Sequence, residues 1–202
     1  MIWKKYFSSN KNQIEFLISI LILALVLFSL TNFLNYVESR NGFSFSDPIL
    51  SLFKPIDLTW LTFTLIYGAL ITAIFKLISR PEKLLFAIQL YTLMVIVRMI
   101  SMWLLPLNPP AQMILLNDPF VEFFGTGKTL TKDLFFSGHT ATLFILFLTS
   151  DEKKFRMIFL FFTIAVAICV LMQHVHYSID VFAALIFTYA CYQILKSWKK
   201  LN

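Results

Sequence analysis

Apolar residues follow one another in six long segments, separated by short stretches that carry most of the polar side chains. Each segment is long enough, or nearly so, to cross the hydrocarbon core of a bilayer as a helix of about 20 residues. Because the apolar residues are continuous rather than alternating with polar ones, they predict helices and not the strands of a membrane barrel. The predicted spans are 14–37, 56–78, 83–105, 134–149, 155–172 and 179–195. We therefore predict an all-α fold, an integral membrane bundle of six transmembrane helices forming a single domain over residues 1–202.

The composition agrees with this prediction. Of the 202 residues, 58% are hydrophobic and 14% are charged, against about 45–50% and about 25% in soluble domains. A soluble protein of this length has too little interior for so much apolar surface, so most of it must face lipid. A soluble enzyme, a disordered chain and a fibrous repeat are therefore excluded. The fourth span is the shortest, and its start is expected to lie below the membrane surface.

Lysine and arginine are distributed unevenly between the two sides of the predicted bundle. The side that holds both termini carries twelve of them: Lys4, Lys5, Lys11, Lys76, Arg80, Lys83, Lys153, Lys154, Arg156, Lys196, Lys199 and Lys200. The opposite side carries four: Arg40, Lys54, Lys128 and Lys132. By the positive-inside rule both termini are cytoplasmic, in a plasma (inner) membrane. This bias accounts for the net charge of +6, so nucleic acid is not expected as a partner.

The candidate chemistry lies on the outer side, at three places in the sequence. His139 is at the start of span four, His174 and His176 lie between spans five and six, and Arg98 lies about 12 Å deep in span three. An ionisable residue at membrane depth is costly and therefore marks a candidate functional site. His176 and Asp180 are four residues apart and share one helix face, so the carboxylate can fix the imidazole tautomer and activate it as a base or nucleophile.

The surroundings of His139 and Arg98 suit a phosphate. A helix N-terminus offers free backbone N–H groups to an anion, and Ser137 and Gly138 allow the backbone to approach closely. Arg98 offers a fixed cation with a forked guanidinium. Each feature alone also has a structural interpretation: a polar residue at the membrane interface, a His–Asp link, or an arginine that extends to the head groups. Together they favour a phosphate site, with the role of His174 open.

These residues carry a resemblance to a known family. Ser137-Gly138-His139 followed by His176 and Asp180 resembles the type 2 phosphatidic acid phosphatase superfamily. The strings DLFFSGHT at 133–140, HVHYSIDV at 174–181 and RMISMWLLP at 98–106 resemble its sphingomyelin synthase branch. The resemblance covers about residues 91–195. It implies that His176 is the nucleophile that becomes phosphorylated, that Asp180 orients it, and that His139 protonates the leaving group.

The resemblance also implies substrate-binding residues, and the chain departs from the family pattern among them. Arg98, Asp133, Ser137, Gly138, His174 and Tyr177 are the candidates. Where the phosphatase pattern has two further cations and an Arg-Pro pair, this chain has Tyr91, Val170 and Met99. A phosphomonoester is nearly a dianion and gains most from several cations, so a single arginine favours a phosphodiester.

The loop before span four adds two further possibilities. Asp118, Phe120, Glu122, Phe123 and Phe124 are either a binding site for a cationic head group, by charge and cation–π contact, or simply residues at the membrane surface. The stretch 125–129 is similar to a phosphate-binding loop. That motif is rejected because Glu122 stands where it requires glycine and because no strand is predicted before it.

The expected function is therefore that of a membrane enzyme acting on a phospholipid or sphingolipid from the outer leaflet, without metal or nucleotide cofactors. It would transfer or hydrolyse a phospho-head-group, in the manner of a sphingomyelin synthase or a phospholipase C. The alternatives are a lipid phosphate phosphatase acting on phosphatidic acid and, in another class, a non-catalytic transporter or scaffold. The scarcity of charge in the inner halves of spans one, four, five and six disfavours a transport path. The donor lipid, the acceptor and the oligomeric state stay open.

Overall fold

The protein is a bundle of α-helices, as shown by a computed structural model that describes residues 2–116 and 130–200. Its helices are α1 (Ile2–Tyr6), α2 (Asn10–Ser39), α3 (Thr59–Leu77), α4 (Pro81–Leu104), α5 (Gly138–Thr149), α6 (Lys153–Met172) and α7 (Ser178–Trp198), with one 3₁₀ turn at Leu50–Leu52. Helices α2, α3, α4, α6 and α7 are long and apolar enough to cross a membrane, and α5 is a shorter apolar helix. The predicted all-α, integral membrane bundle is confirmed, and the chain is a multi-pass membrane protein.

The clearest difference from the predicted spans is the start of α5. The apolar pattern predicts a span from residue 134, but the helix begins at Gly138. The side chain of Ser137 accepts a hydrogen bond from the Thr140 amide and caps the helix, which leaves the preceding residues outside it. With 12 residues, α5 is about 18 Å long, much shorter than the hydrocarbon core.

Helix α5 lies at the centre of the bundle and contacts α3, α4, α6 and α7. Leu143 and Leu146 pack into a cluster with residues of α3 and α6, and Ala141 and Ile145 pack into a second cluster with residues of α4 and α7. Helix α2 packs mainly on α4, and most of its apolar side chains are exposed. In a membrane, those side chains face the lipid.

The described residues nearest the two chain ends lie at one end of the bundle, which we call the terminal end. There Lys199 Nζ is 2.7 Å from Glu15 Oε1, so the start of α2 adjoins the end of α7. Arg80 Nη2 is 3.0 Å from Glu152 Oε1, which joins the turn between α3 and α4 to the turn between α5 and α6. The other end of the bundle, which we call the site end, therefore holds the end of α4 and the starts of α5 and α7.

Candidate active site

A cavity of about 690 Å³ lies between α2, α3, α4 and α5. Its wall includes five of the residues singled out from the sequence: Arg98, Asp133, Gly138, His139 and His176. The other wall residues are mostly apolar side chains of α2, α3 and α4, such as Leu30, Leu34, Ile66, Leu70, Ile71, Ile74, Met94 and Val95. The fold therefore brings charged and polar groups from α4, from α5 and the segment before it, and from the turn before α7 into one largely apolar chamber.

His176 and Asp180 are paired, as their spacing predicts. His176 Nδ1 lies 3.3 Å from Asp180 Oδ2, and the same oxygen accepts a hydrogen bond from the Tyr177 amide at 3.0 Å. Asp180 is completely buried in the first turn of α7. Its backbone carbonyl accepts a hydrogen bond from the Ser137 amide at 3.1 Å. That bond ties the start of α7 to the start of α5, and so fixes where His139 and His176 stand relative to each other.

Arg98 is held inside the bundle rather than extended to its surface. Only 5% of the residue is exposed. Its Nε donates to the Phe136 carbonyl at 2.6 Å, and its Nη2 donates to Asp133 Oδ1 at 2.7 Å. Both acceptors belong to the segment just before α5. Gly138 lies against the guanidinium, since a Cβ there would be 3.2 Å from Cζ of Arg98. A larger residue at position 138 would displace the cation.

Three of the candidate binding residues do not line this cavity. Ser137 is fully buried and caps α5. His174 and Tyr177 line a separate cavity on the other side of the turn between α6 and α7. The Tyr177 hydroxyl donates to the Asn108 carbonyl at 3.1 Å, and burial raises the pKa of Tyr177. These three residues are therefore placed as supports of the helix starts or as parts of a second site.

The cavity also has wall residues that the sequence did not single out for binding. Tyr67 of α3 and Tyr91 of α4 both line it. Tyr91 stands where the phosphatase pattern has a lysine, so a hydroxyl replaces an ammonium there. Val170, at the position of the other missing cation, packs into the apolar core beside α5. In the sequence, a tyrosine that lines a cavity cannot be distinguished from one that lies at the membrane interface. Only the packing of the helices shows which tyrosines line the chamber.

Gln173 is a further buried polar residue, and it is absent from the set of residues predicted for the site. Its Oε1 accepts from the Leu58 amide at 3.2 Å, and its Nε2 donates to the Thr59 hydroxyl at 2.8 Å. It thereby joins the end of α6 to the start of α3, one wall of the cavity. The signal available in the sequence was a glutamine at the end of an apolar span, directly before the two histidines.

The remaining predictions concern the loop before span four, Lys132 and metal binding. The residues from Asp118 to Phe124 and the glycine-containing stretch 125–129 lie outside the described residues. Lys132 Nζ donates to the Arg40 carbonyl at 2.6 Å, away from the cavity wall. Over residues 2–116 and 130–200, no group of three or more His, Cys, Asp or Glu side chains is arranged to hold a metal ion.

Residues 132–197 match the family described as "PAP2 superfamily C-terminal". The matched segment is about a third of the chain and contains His139, His176 and Asp180. Comparison with curated proteins and with solved structures found no match. The match supports assignment of this segment to the PAP2 superfamily, and with it phosphatase- or phosphotransferase-type chemistry on lipid phosphates in general.

Proposed function

We propose that this protein is a membrane enzyme that transfers or hydrolyses the phospho-head-group of a lipid through a phosphohistidine at His176. The observation that carries the proposal is the first cavity, where Arg98, His139 and His176 line one chamber whose other residues are mostly apolar. The polar wall suits a phosphate, and the apolar walls suit the chains of a lipid.

The hydrogen bond between Asp180 and His176 sets the proposed nucleophile. A carboxylate only accepts hydrogen bonds, so Nδ1 of His176 carries the ring proton and Nε2 keeps a lone pair. In the first step Nε2 attacks phosphorus, and the bond from phosphorus to the leaving oxygen breaks. His139 gives that oxygen a proton. In the second step an alcohol or water gives its proton to His139 and attacks phosphorus, and the nitrogen–phosphorus bond breaks.

The phosphate oxygens have two donors in this scheme. The first turn of α5 presents backbone N–H groups, and the absence of a side chain at Gly138 lets the Arg98 guanidinium lie beside them. Arg98 uses Nε and Nη2 for Phe136 and Asp133, whereas Nη1 makes no hydrogen bond to the described residues and is left for an anion. Developing negative charge on the transferring group is thus met by donors that are already fixed in place.

The charge of the wall favours a phosphodiester. Arg98 is the one lysine or arginine among the described residues that line the cavity, and the Asp133 carboxylate 2.7 Å away offsets much of its charge. A site of low net positive charge suits a monoanion better than a dianion. We therefore place the chemistry with sphingomyelin synthase-like or phospholipase C-like reactions on a phospholipid or sphingolipid. The second candidate is a lipid phosphate phosphatase, which the superfamily match favours.

The test is product analysis with the purified full chain in lipid nanodiscs. Labelled phosphatidylcholine, phosphatidylethanolamine, sphingomyelin and phosphatidic acid are supplied with and without a ceramide or diacylglycerol acceptor, and products are identified by mass spectrometry. We expect turnover of a phosphodiester lipid and an acid-labile phosphate on His176. His176→Ala and Asp180→Asn should remove both. Gly68→Ala is the control, because a Cβ at Gly68 meets nothing within 4 Å. Absence of any product would favour the non-catalytic alternative.

The same proposal includes an orientation. The distribution of lysine and arginine supports cytoplasmic termini in a plasma (inner) membrane, which would place the cavity toward the outer leaflet. Structural support comes from the grouping of both termini with the basic turn between α3 and α4 at the terminal end.

A further inference from the structure

A second cavity, of about 600 Å³, opens at the site end. It lies between the connection from α2 to α3, the segment after α4, and the turn from α6 to α7. Asp47, Phe53, His174 and Tyr177 are in its wall, and none of them lines the first cavity. The two cavities are thus separate, although His174 and His176 are only two residues apart.

The backbone at His174 is unusual. Helix α6 ends in a Schellman motif, in which the His174 amide donates to the Leu171 carbonyl and the Val175 amide donates to the Val170 carbonyl, both at 2.9 Å. His174 occupies the left-handed position of this motif, with φ of 54°. Glycine fits that conformation without a steric penalty, and a histidine does not. The His174 side chain therefore occupies a backbone position at which glycine is the favoured residue.

The imidazole of His174 belongs to the cavity wall and has a nitrogen without a partner among the described residues. The residue is 4% exposed, and its Nε2 has no hydrogen-bond partner among the described residues. The Phe53 backbone is an acceptor beside the ring, and since Nε2 is unpartnered, we assign the ring proton to Nδ1. Burial lowers the pKa of His174, against smaller opposing effects of the Phe53 backbone and of Asp47, so the ring is neutral at physiological pH. A neutral ring that donates from Nδ1 accepts at Nε2.

The surrounding groups favour a cation. Burial raises the pKa of Asp47, but hydrogen bonds from Ser178, Ile49 and Leu50 outweigh it, so the pKa is lowered and the carboxylate is ionised. Three aromatic rings border the same space: Tyr177 stacks on Phe45 at 4.1 Å, and Phe53 lies edge-on to His174 at 5.3 Å. Aromatic faces attract cations.

One cation also lines this cavity. Lys54 is exposed, so its ammonium remains in water at the rim and opposes a bound cation only weakly.

We propose that the second cavity binds a primary ammonium group, either of a free amine or of a lipid head group such as ethanolamine. The ammonium would donate an N–H to Nε2 of His174, with Asp47 and the aromatic rings balancing its charge. A quaternary ammonium has the same charge but no N–H, and leaves Nε2 unpaired. The site is independent of the proposed phosphate chemistry, because its wall shares no residue with the first cavity.

Binding is measured with the full chain carrying His176→Ala, so that turnover plays no part. Native mass spectrometry compares phosphatidylethanolamine with phosphatidylcholine, and calorimetry compares free ethanolamine with choline. We expect at least about tenfold tighter binding of the primary ammonium in one of the two pairs. Preference only within the lipid pair identifies a head group as the ligand, and preference within the free pair identifies a soluble amine. Equal binding of the primary and quaternary compounds in both pairs, or no binding, overturns the proposal.

Two variants separate a ligand site from a structural histidine. His174→Gly should keep the unfolding temperature or raise it, since glycine fits the left-handed position and removes the unpaired nitrogen, yet it should abolish the preference for the primary ammonium. Lys54→Ala should leave that preference intact and strengthen binding at low salt. Retained preference in His174→Gly, or weaker binding in Lys54→Ala, which would indicate an anionic ligand, contradicts the proposal.

Discussion

The charge of Asp133 is expected to decide how the proposed enzyme discriminates between phosphodiesters and phosphomonoesters. Asp133→Asn removes that charge and keeps an oxygen that can accept from Arg98, whose Nη2 is 2.7 Å from Oδ1. A phosphate held by Nη1 would lie roughly 7 Å from the carboxylate, with about 2.8 Å for each charge-assisted hydrogen bond. One unit charge at that distance contributes about 2 kcal/mol at an effective dielectric constant of about 20.

A monoester dianion carries one unit of charge more than a diester, so it gains this amount when the carboxylate is removed. That corresponds to roughly thirtyfold in the ratio of rates. The Asp133 side chain is 30% exposed, and solvent screening reduces the expected change to about five- to tenfold.

The assay is the ratio of kcat/KM on phosphatidic acid to kcat/KM on phosphatidylcholine or phosphatidylethanolamine, in nanodiscs of one composition. The ratio should rise in Asp133→Asn. Asp57→Asn is the matched control: it removes a carboxylate at the start of α3 that does not line the cavity, and it should leave the ratio unchanged. An unchanged or lower ratio in Asp133→Asn would refute the charge argument. Faster turnover of phosphatidic acid by the unaltered chain would support the phosphatase.

Three further outcomes are expected. His176→Ala should lower turnover by roughly a thousandfold or more without loss of membrane insertion, measured on purified protein; near-normal activity would exclude a phosphohistidine there. Gly138→Ala should lower kcat roughly ten- to a hundredfold, because the methyl group would press on the Arg98 guanidinium, which is hydrogen-bonded to Phe136 and Asp133. Gly68→Ala should leave kcat unchanged. Equal effects of the two substitutions would remove the steric explanation. A cysteine at Asn41 should react with an impermeant reagent added outside intact cells, and one at Lys153 should not. The two native cysteines are buried and should not react. The reverse labelling pattern would invert the proposed orientation.

The helices were predictable because continuous apolar runs have few alternatives in a bilayer. The boundary of α5 was not, since it depends on the cap at Ser137 and on the packing of 134–136 rather than on hydropathy. The pairing of His176 with Asp180 was accessible from sequence because it is local and follows helix periodicity. The ion pair between Arg98 and Asp133 joins residues 35 apart and depends on how α4 meets the segment before α5.

The separation of His174 from His176 was equally hidden. Both belong to one short string, and adjacency in sequence suggested a shared site. The left-handed turn at His174 directs the two side chains to different cavities, which no pattern of residue types reveals. The structure places His174 and Tyr177 in the wall of the second cavity. Their binding to the phosphate therefore stays a prediction.

The shortness of α5 makes membrane thickness part of the proposed reaction. At about 18 Å, α5 covers little more than half of a hydrocarbon core of about 30 Å, and its end adjoins the ion pairs of Asp151 and Glu152 at the terminal end. With that end at the interface and α5 upright in the membrane, His139 would lie about 12 Å below the opposite interface. A lipid phosphate must sink by that distance, or the bilayer must thin locally to meet it. Lipids with short acyl chains shorten the descent, and chain length in the host membrane becomes a control on the rate even when the substrate is unchanged.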